Sequence, residues 1–163
     1  VIKDYSNISL DLLAFGYNNS TITLKNLIKD YKLENRVKFI PLVKPNEVLN
    51  IITKYDFMII LMINPDNLIA INHHSINKVY EAISAGLPIL CSDLPSFKKE
   101  IVDNGLGYSV NPFSIESIKK GIEMVEQKIH NHKAMREKAF ELAVKKFNWG
   151  NEEIKLLELY RNL

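Results

Sequence analysis

The chain has 163 residues, 47% apolar and 25% charged, which suits one compact globular domain and excludes a disordered, collagen-like or disulfide-stapled protein. Its 21 Lys and Arg stand against 19 Asp and Glu, a formal charge of +2 that is too balanced for a general polyanion binder, so nucleic acid is not an expected partner. No run nears the roughly 20 apolar residues that span a bilayer, and Lys3 and Asp4 break any signal-peptide pattern, so a cytoplasmic protein is expected.

Short apolar runs alternate with segments of helical periodicity, the pattern of a parallel sheet covered by helices. The first run, Asp11 to Phe15, predicts a strand ended by Gly16. Leu24, Leu27, Ile28 and Tyr31 then recur at i, i+3, i+4 and i+7, predicting an amphipathic helix over 21–32 with Ser20 or Thr21 as its cap. Arg36 to Val43 reads as a second strand, Val37-Lys38-Phe39-Ile40, running into a turn at Pro41. Val48, Ile51, Ile52 and Tyr55 follow at helical spacing behind Asn46 as N-cap.

Seven consecutive apolar residues, Phe57 to Ile63, predict a strand covered on both faces and central to the sheet. The polar stretch from Asn64 to Ile76 comes directly after it. In open α/β sheets that is where ligands bind. A short helix over 78–85, N-capped by Asn77, stops at Gly86 with Pro88 beyond, and Pro88 to Ser92 forms the fourth strand. Helix over 96–102, a turn at Asn104-Gly105, a strand over 107–110 and three further helices complete the chain. Cys91, the only cysteine, lies inside an apolar run and reads as a buried small side chain.

Chemistry concentrates between Ser75 and Pro88. A polar loop entering a helix presents free N–H groups and the positive end of the helix dipole, an anion site suited to a diphosphate. Lys78 is unfavourable for that dipole unless it neutralises a bound phosphate, and Glu81, one turn deeper, can accept two hydroxyls of a ribose. The bland alternative, a capped helix with a surface Lys-Glu pair, carries about equal weight on spacing alone.

The segment Asn77-Lys78-Val79-Tyr80-Glu81-Ala82-Ile83-Ser84-Ala85-Gly86-Leu87-Pro88-Ile89-Leu90 resembles the donor-binding segment of group 1 glycosyltransferases, retaining enzymes of the GT-B fold. Arg36-Val37-Lys38-Phe39, Asp56, Ile101 to Gly107 and Phe147-Asn148-Trp149 fall in that family's order. The resemblance implies an α/β, Rossmann-like open parallel sheet with helices on both faces, the C-terminal half of a GT-B enzyme. It implies that Glu81 binds the ribose, that the amides of Ser75, Ile76 and Asn77 hold the diphosphate with Lys78 beside them, and that Pro41, Leu42 and Val43 contact the base.

A second glutamate of the family is replaced here by His73, so a contact from His73 or His74 to the donor sugar stays open beside the bland reading of a solvated loop histidine. The family's Arg and Lys for the diphosphate have no counterpart in this chain. The expectation is therefore one domain over 1–163 lacking its first strand and helix and the N-terminal acceptor domain, and inactive alone.

The implied activity is hexosyl transfer from a nucleoside diphosphate sugar, UDP or GDP type, with retention, to a saccharide or lipid-linked acceptor in polysaccharide biosynthesis. No prosthetic group or metal is expected: His73 and His74 are adjacent and no Asp-x-Asp occurs. The whole enzyme would associate peripherally with a membrane, and the apolar last helix would let the fragment self-associate. A nucleotide-sugar epimerase of the same fold and a non-catalytic nucleotide-sugar-binding module are the alternatives.

Overall fold

A computed structural model describes residues 1–13, 19–63, 76–127 and 132–162. By internal contacts the chain forms two compact units, Val1–Glu47 and Val48–Leu163.

In the first unit a 3-10 turn, Ile2–Asp4, precedes β1 (Leu10–Leu13), α1 (Asn19–Asp30) and β2 (Val37–Ile40). The two strands are parallel, with Leu10 opposite Val37 and Leu13 opposite Ile40. Ile28, Leu33 and Val37 make its small core. The predicted first strand begins one residue early and is described only to Leu13, because 14–18 lie outside the described residues. The helix already starts at Asn19, which corrects the Ser20 or Thr21 cap: both are helical, and the Thr23 hydroxyl bonds the Asn19 carbonyl instead. Of the predicted apolar stripe only Ile28 is buried, while Leu24 and Leu27 on α1 and Tyr31 just past its end are exposed.

α2 (Pro45–Ile52) crosses from one unit to the other. Its cap is Lys44 rather than Asn46: the Glu47 carboxylate accepts the Lys44 N–H at 3.0 Å, one half of a capping box, with Pro45 at the first helical position, where its missing donor costs nothing.

The second unit carries β3 (Met58–Ile60), β4 (Ile89–Ser92) and β5 (Gly107–Val110) in a parallel sheet of that order. Between them run α3 (Asn77–Ser84) and α4, a helical turn Pro95–Phe97 continuing as a π-helical turn Lys98–Val102. Then come α5 (Ile115–Gln127), α6 (His132–Lys145) and α7 (Trp149–Arg161).

The predicted central strand is corrected. Only Met58 to Ile60 pair, all with β4, and β4, buried at all four positions, is the middle strand. An apolar run reports two covered faces; it does not report where the neighbouring backbone stops.

Alternation along β4 settles both faces. Ile89 and Cys91 join Val79, Ala82 and Ile83 of α3 in the main core, and Leu90 turns to the other side, towards α5. Gly121 permits that second contact, since a Cβ there would stand 2.4 Å from Val110 Cγ1 and 2.7 Å from Leu90 Cδ1. α3 ends in a Schellman motif: Gly86 takes φ +67, its N–H bonds Ile83 O at 3.0 Å, and the Leu87 N–H bonds Ala82 O at 2.9 Å. Gly86 therefore occupies the position the sequence assigned it. The sheet and its helices match the parallel α/β class read from the alternation of elements.

Candidate functional site

The segment with the chemical signature folds as α3. Its buried stripe, Val79, Ala82 and Ile83, fixes its face against the sheet and leaves Asn77 and Lys78 exposed and Glu81 half-buried. Asn77 is not the cap. Ile76 holds that place in extended conformation, φ −84 and ψ 157, and no side chain caps the helix. The reason is packing: for Val79 to lie in the core the first turn must close on Ile76, whose carbonyl takes the Val79 N–H at 2.9 Å.

The N–H groups of Asn77 and Lys78 consequently meet no acceptor among the described residues. Lys78 adds a cation to the same first turn. Two free donors, a positive helix end and an ammonium in one turn favour a bound anion. The Glu81 carboxylate likewise has no partner among the described residues. Of the other expected contacts, Ser75, His73 and His74 lie outside the described residues. Pro41, Leu42 and Val43 follow β2 in the first unit, with Pro41 and Leu42 exposed and Val43 partly covered.

Because β3 and β4 are parallel, α3 must run back between them, and its N-terminus stands at the carboxyl end of the strands. At that same end lies a cleft of about 220 Å³, lined by Met62 and Ile63 after β3, Ser92, Asp93 and Leu94 at β4, and Asn111, Pro112 and Phe113 after β5. None of the residues singled out from the sequence lines it.

Ser92 shapes this cleft. Its hydroxyl, 1% exposed, accepts the Met62 N–H at 2.7 Å and donates to the Met62 carbonyl at 3.1 Å. One side chain thus continues the pairing of β3 after its ladder with β4 ends at Ile60. Nothing in the local pattern around Ser92 distinguishes it from a buried small residue; only the pairing reveals the role.

Around α3 the remaining polar groups serve structure. The Tyr80 hydroxyl donates to Glu100 Oε2 at 3.2 Å, its ring lies 5.5 Å from that of Phe147, and burial followed by the Glu100 charge pushes its pKa up to about 12. Cys91 is fully buried as expected, and burial, with the Asp93 charge second, raises its thiol to about 12. A neutral thiol of that kind is no nucleophile. Arg136 reaches across to the Tyr55 carbonyl at 2.8 Å, and buried His132 holds the Val125 carbonyl at 3.1 Å. Among the described residues no cluster of His, Cys, Asp or Glu could hold a metal ion, and no helix is long and apolar enough to cross a membrane.

The model of the family described as glycosyl transferases group 1 matches residues 1–142. No curated protein matches the chain. Among solved structures it is similar to sucrose-phosphate synthase from Thermosynechococcus elongatus, at 16% identity and a TM-score of 0.78, over 99% of this chain and 40% of that one. The chain therefore spans less than half of that protein's length, and the likeness speaks to the fold alone. With the family match extending from residue 1 into α6, well over half of the chain, the chain belongs to the group 1 glycosyltransferases.

Proposed function

We infer that this chain binds a nucleoside diphosphate sugar and that the whole enzyme transfers its hexosyl group, with retention, to a saccharide or lipid-linked hydroxyl. The observation that carries the reading is the uncapped first turn of α3, where the N–H groups of Asn77 and Lys78 have no acceptor among the described residues and Lys78 adds an exposed cationic side chain to the same turn. A diphosphate meets that turn through the free amides of Asn77 and Lys78, next to the Ser75 and Ile76 amides that the family resemblance assigns to it. Charge grows on the leaving diphosphate as the glycosidic bond breaks, and the helix end and Lys78 stabilise it without a metal or a prosthetic group.

Glu81, one turn deeper and half-buried, accepts the two ribose hydroxyls of a UDP or GDP donor. Pro41, Leu42 and Val43 supply backbone to the base. In this reading an N-terminal domain brings the acceptor, so the chain alone binds donor without turnover. The enzyme works in the cytoplasm, peripherally on a membrane, in polysaccharide assembly.

Calorimetric titration of the chain with UDP and GDP tests it. Binding is expected for one of the two, and Glu81→Ala should weaken it at least about tenfold, the loss expected when hydrogen bonds to a charged acceptor go. Absence of binding to both, or full affinity in Glu81→Ala, overturns the reading.

A further inference from the structure

Tyr80 lies in the chain between Lys78 and Glu81, the two charged residues of the α3 site, yet its own side chain is engaged elsewhere. The Glu100 carboxylate takes the Tyr80 hydroxyl with one oxygen at 3.2 Å and the other at 3.5 Å, and the ring leans on Phe147. No other side chain of α3 makes a hydrogen bond to a described residue. The helix has eight residues and no side-chain cap, and it is fixed to the core through Val79, Ala82 and Ile83, which share one stripe. One stripe sets the depth of a helix but leaves it free to roll about that line, and a tether on its flank stops the roll. Tyr80 is that tether, one turn from Asn77 on the same flank.

An irregularity in the chain aims Glu100. It sits in the π-helical turn Lys98–Val102, where the Asp103 N–H reaches back five residues to the Lys98 carbonyl at 2.9 Å. In an α-helix that donor would serve Lys99, four residues back. The widened turn leaves the Lys99 and Glu100 carbonyls to be satisfied otherwise, and the Asn104 side-chain amide donates to both at 3.0 Å. Turns of this kind are rare and gather at functional places, because they re-aim the side chains they carry. The bond to Tyr80 is also durable. Burial, then the Glu100 charge, pushes the hydroxyl up to about 12, so it keeps its proton in neutral and mildly alkaline solution and donates to an ionised acceptor.

We propose that Tyr80 and Glu100 are a positioning pair: anchored on Glu100, with Asn104 holding the π turn, Tyr80 fixes the first turn of α3 and with it the amides of Asn77 and Lys78 and the Glu81 carboxylate. Neither residue touches a ligand; both act through the helix. The effect on nucleotide affinity rests on the function proposed above, whereas the effect on the turn stands without it.

Tyr80→Phe removes the hydroxyl and keeps the ring on Phe147, Glu100→Ala removes the acceptor, and Glu100→Gln keeps an acceptor oxygen. Hydrogen exchange of the free chain reads the turn through the Val79 amide, whose bond to the Ile76 carbonyl closes it. That amide should exchange about fivefold faster in Tyr80→Phe and in Glu100→Ala, and at the wild-type rate in Glu100→Gln. Ser92→Ala, which lowers global stability from another place, is the control and should leave it unchanged. Calorimetric titration with UDP and GDP reads the site: affinity should fall about fivefold in Tyr80→Phe and in Glu100→Ala, no further in the double variant, and hold in Glu100→Gln. The proposal is overturned if Val79 exchanges no faster in Tyr80→Phe than in Ser92→Ala, if the affinity of Tyr80→Phe matches the wild type, if the two losses add in the double variant, or if Glu100→Gln behaves as Glu100→Ala. A wild-type chain that binds neither nucleotide sinks the function proposed above, and the Val79 amide still decides the positioning pair.

Discussion

Replacing Ser92 with alanine removes one oxygen from the sheet and should loosen a defined point of the chain. The hydroxyl makes two hydrogen bonds to Met62, at 2.7 Å and 3.1 Å, from a side chain 1% exposed. Each is worth about 1 kcal/mol net, and leaving the half-buried Met62 N–H and carbonyl without a protein partner adds part of their desolvation cost, for a total of about 2 to 3 kcal/mol. In a chain of this size that lowers the melting temperature by roughly 4 to 10 °C. The effect is also local. Hydrogen exchange at the Met62 amide should rise steeply in Ser92→Ala, while the amides of Leu90 and Cys91 in the middle strand change only as far as global stability does. Equal protection of Met62 in the wild type and the variant would refute the argument that this side chain, and not the ladder, pins the end of β3.

Gly121→Ala sets helix propensity against packing. Alanine gains about 1 kcal/mol inside a helix, but its Cβ would fall 2.4 Å from Val110 Cγ1 and 2.7 Å from Leu90 Cδ1, so net destabilisation of about 1 to 2 kcal/mol is expected in urea unfolding, relieved in part when measured against Val110→Ala as background. Burial lowers the His132 pKa, with its bond to the Val125 carbonyl opposing, so the folded state prefers neutral imidazole. Its contribution is full above the unfolded value of about 6.5 and is lost as pH falls below it, and the melting temperature of the wild type should drop faster than that of His132→Gln between about pH 6.5 and 5. On α7 no residue is buried, and Trp149, Ile154, Leu157, Leu159 and Tyr160 are exposed, so light scattering should show a mass that rises with concentration; Leu157→Lys with Tyr160→Lys should abolish that rise.

How far the sequence could be read follows from which signals are local. The helices of the second unit were legible because each needs one apolar stripe, and the stripes of α3 and α5 are dense: Val79, Ala82, Ile83 and Ile122, Val125 are the residues that the core takes. Gly86 was legible because only a residue at ease with positive φ ends a helix in that way. Caps were misplaced at Asn46 and Asn77, since a good capping side chain marks where a helix could start, whereas the buried face decides where it does. The extent of β3 was not legible, because it depends on β4 and on Ser92, thirty positions along the chain.

The same distinction separates the two parts of the candidate site. α3 combines its chemistry within a few consecutive residues, so Lys78 and Glu81 stand out in the sequence beside the helix they begin. The cleft instead gathers Ile63, Asp93 and Phe113 from the ends of three strands, and parallel pairing alone brings them together. Each looks ordinary in its own segment: an apolar residue closing a run, an acid before a helix, an aromatic in a turn. In the function proposed above only the helix end takes part, through residues adjacent in the chain. Exchanges at Lys78 or Glu81 should therefore weaken nucleotide binding in calorimetric titration, whereas exchanges at Asp93 or Phe113, gathered only by strand order, should leave it unchanged.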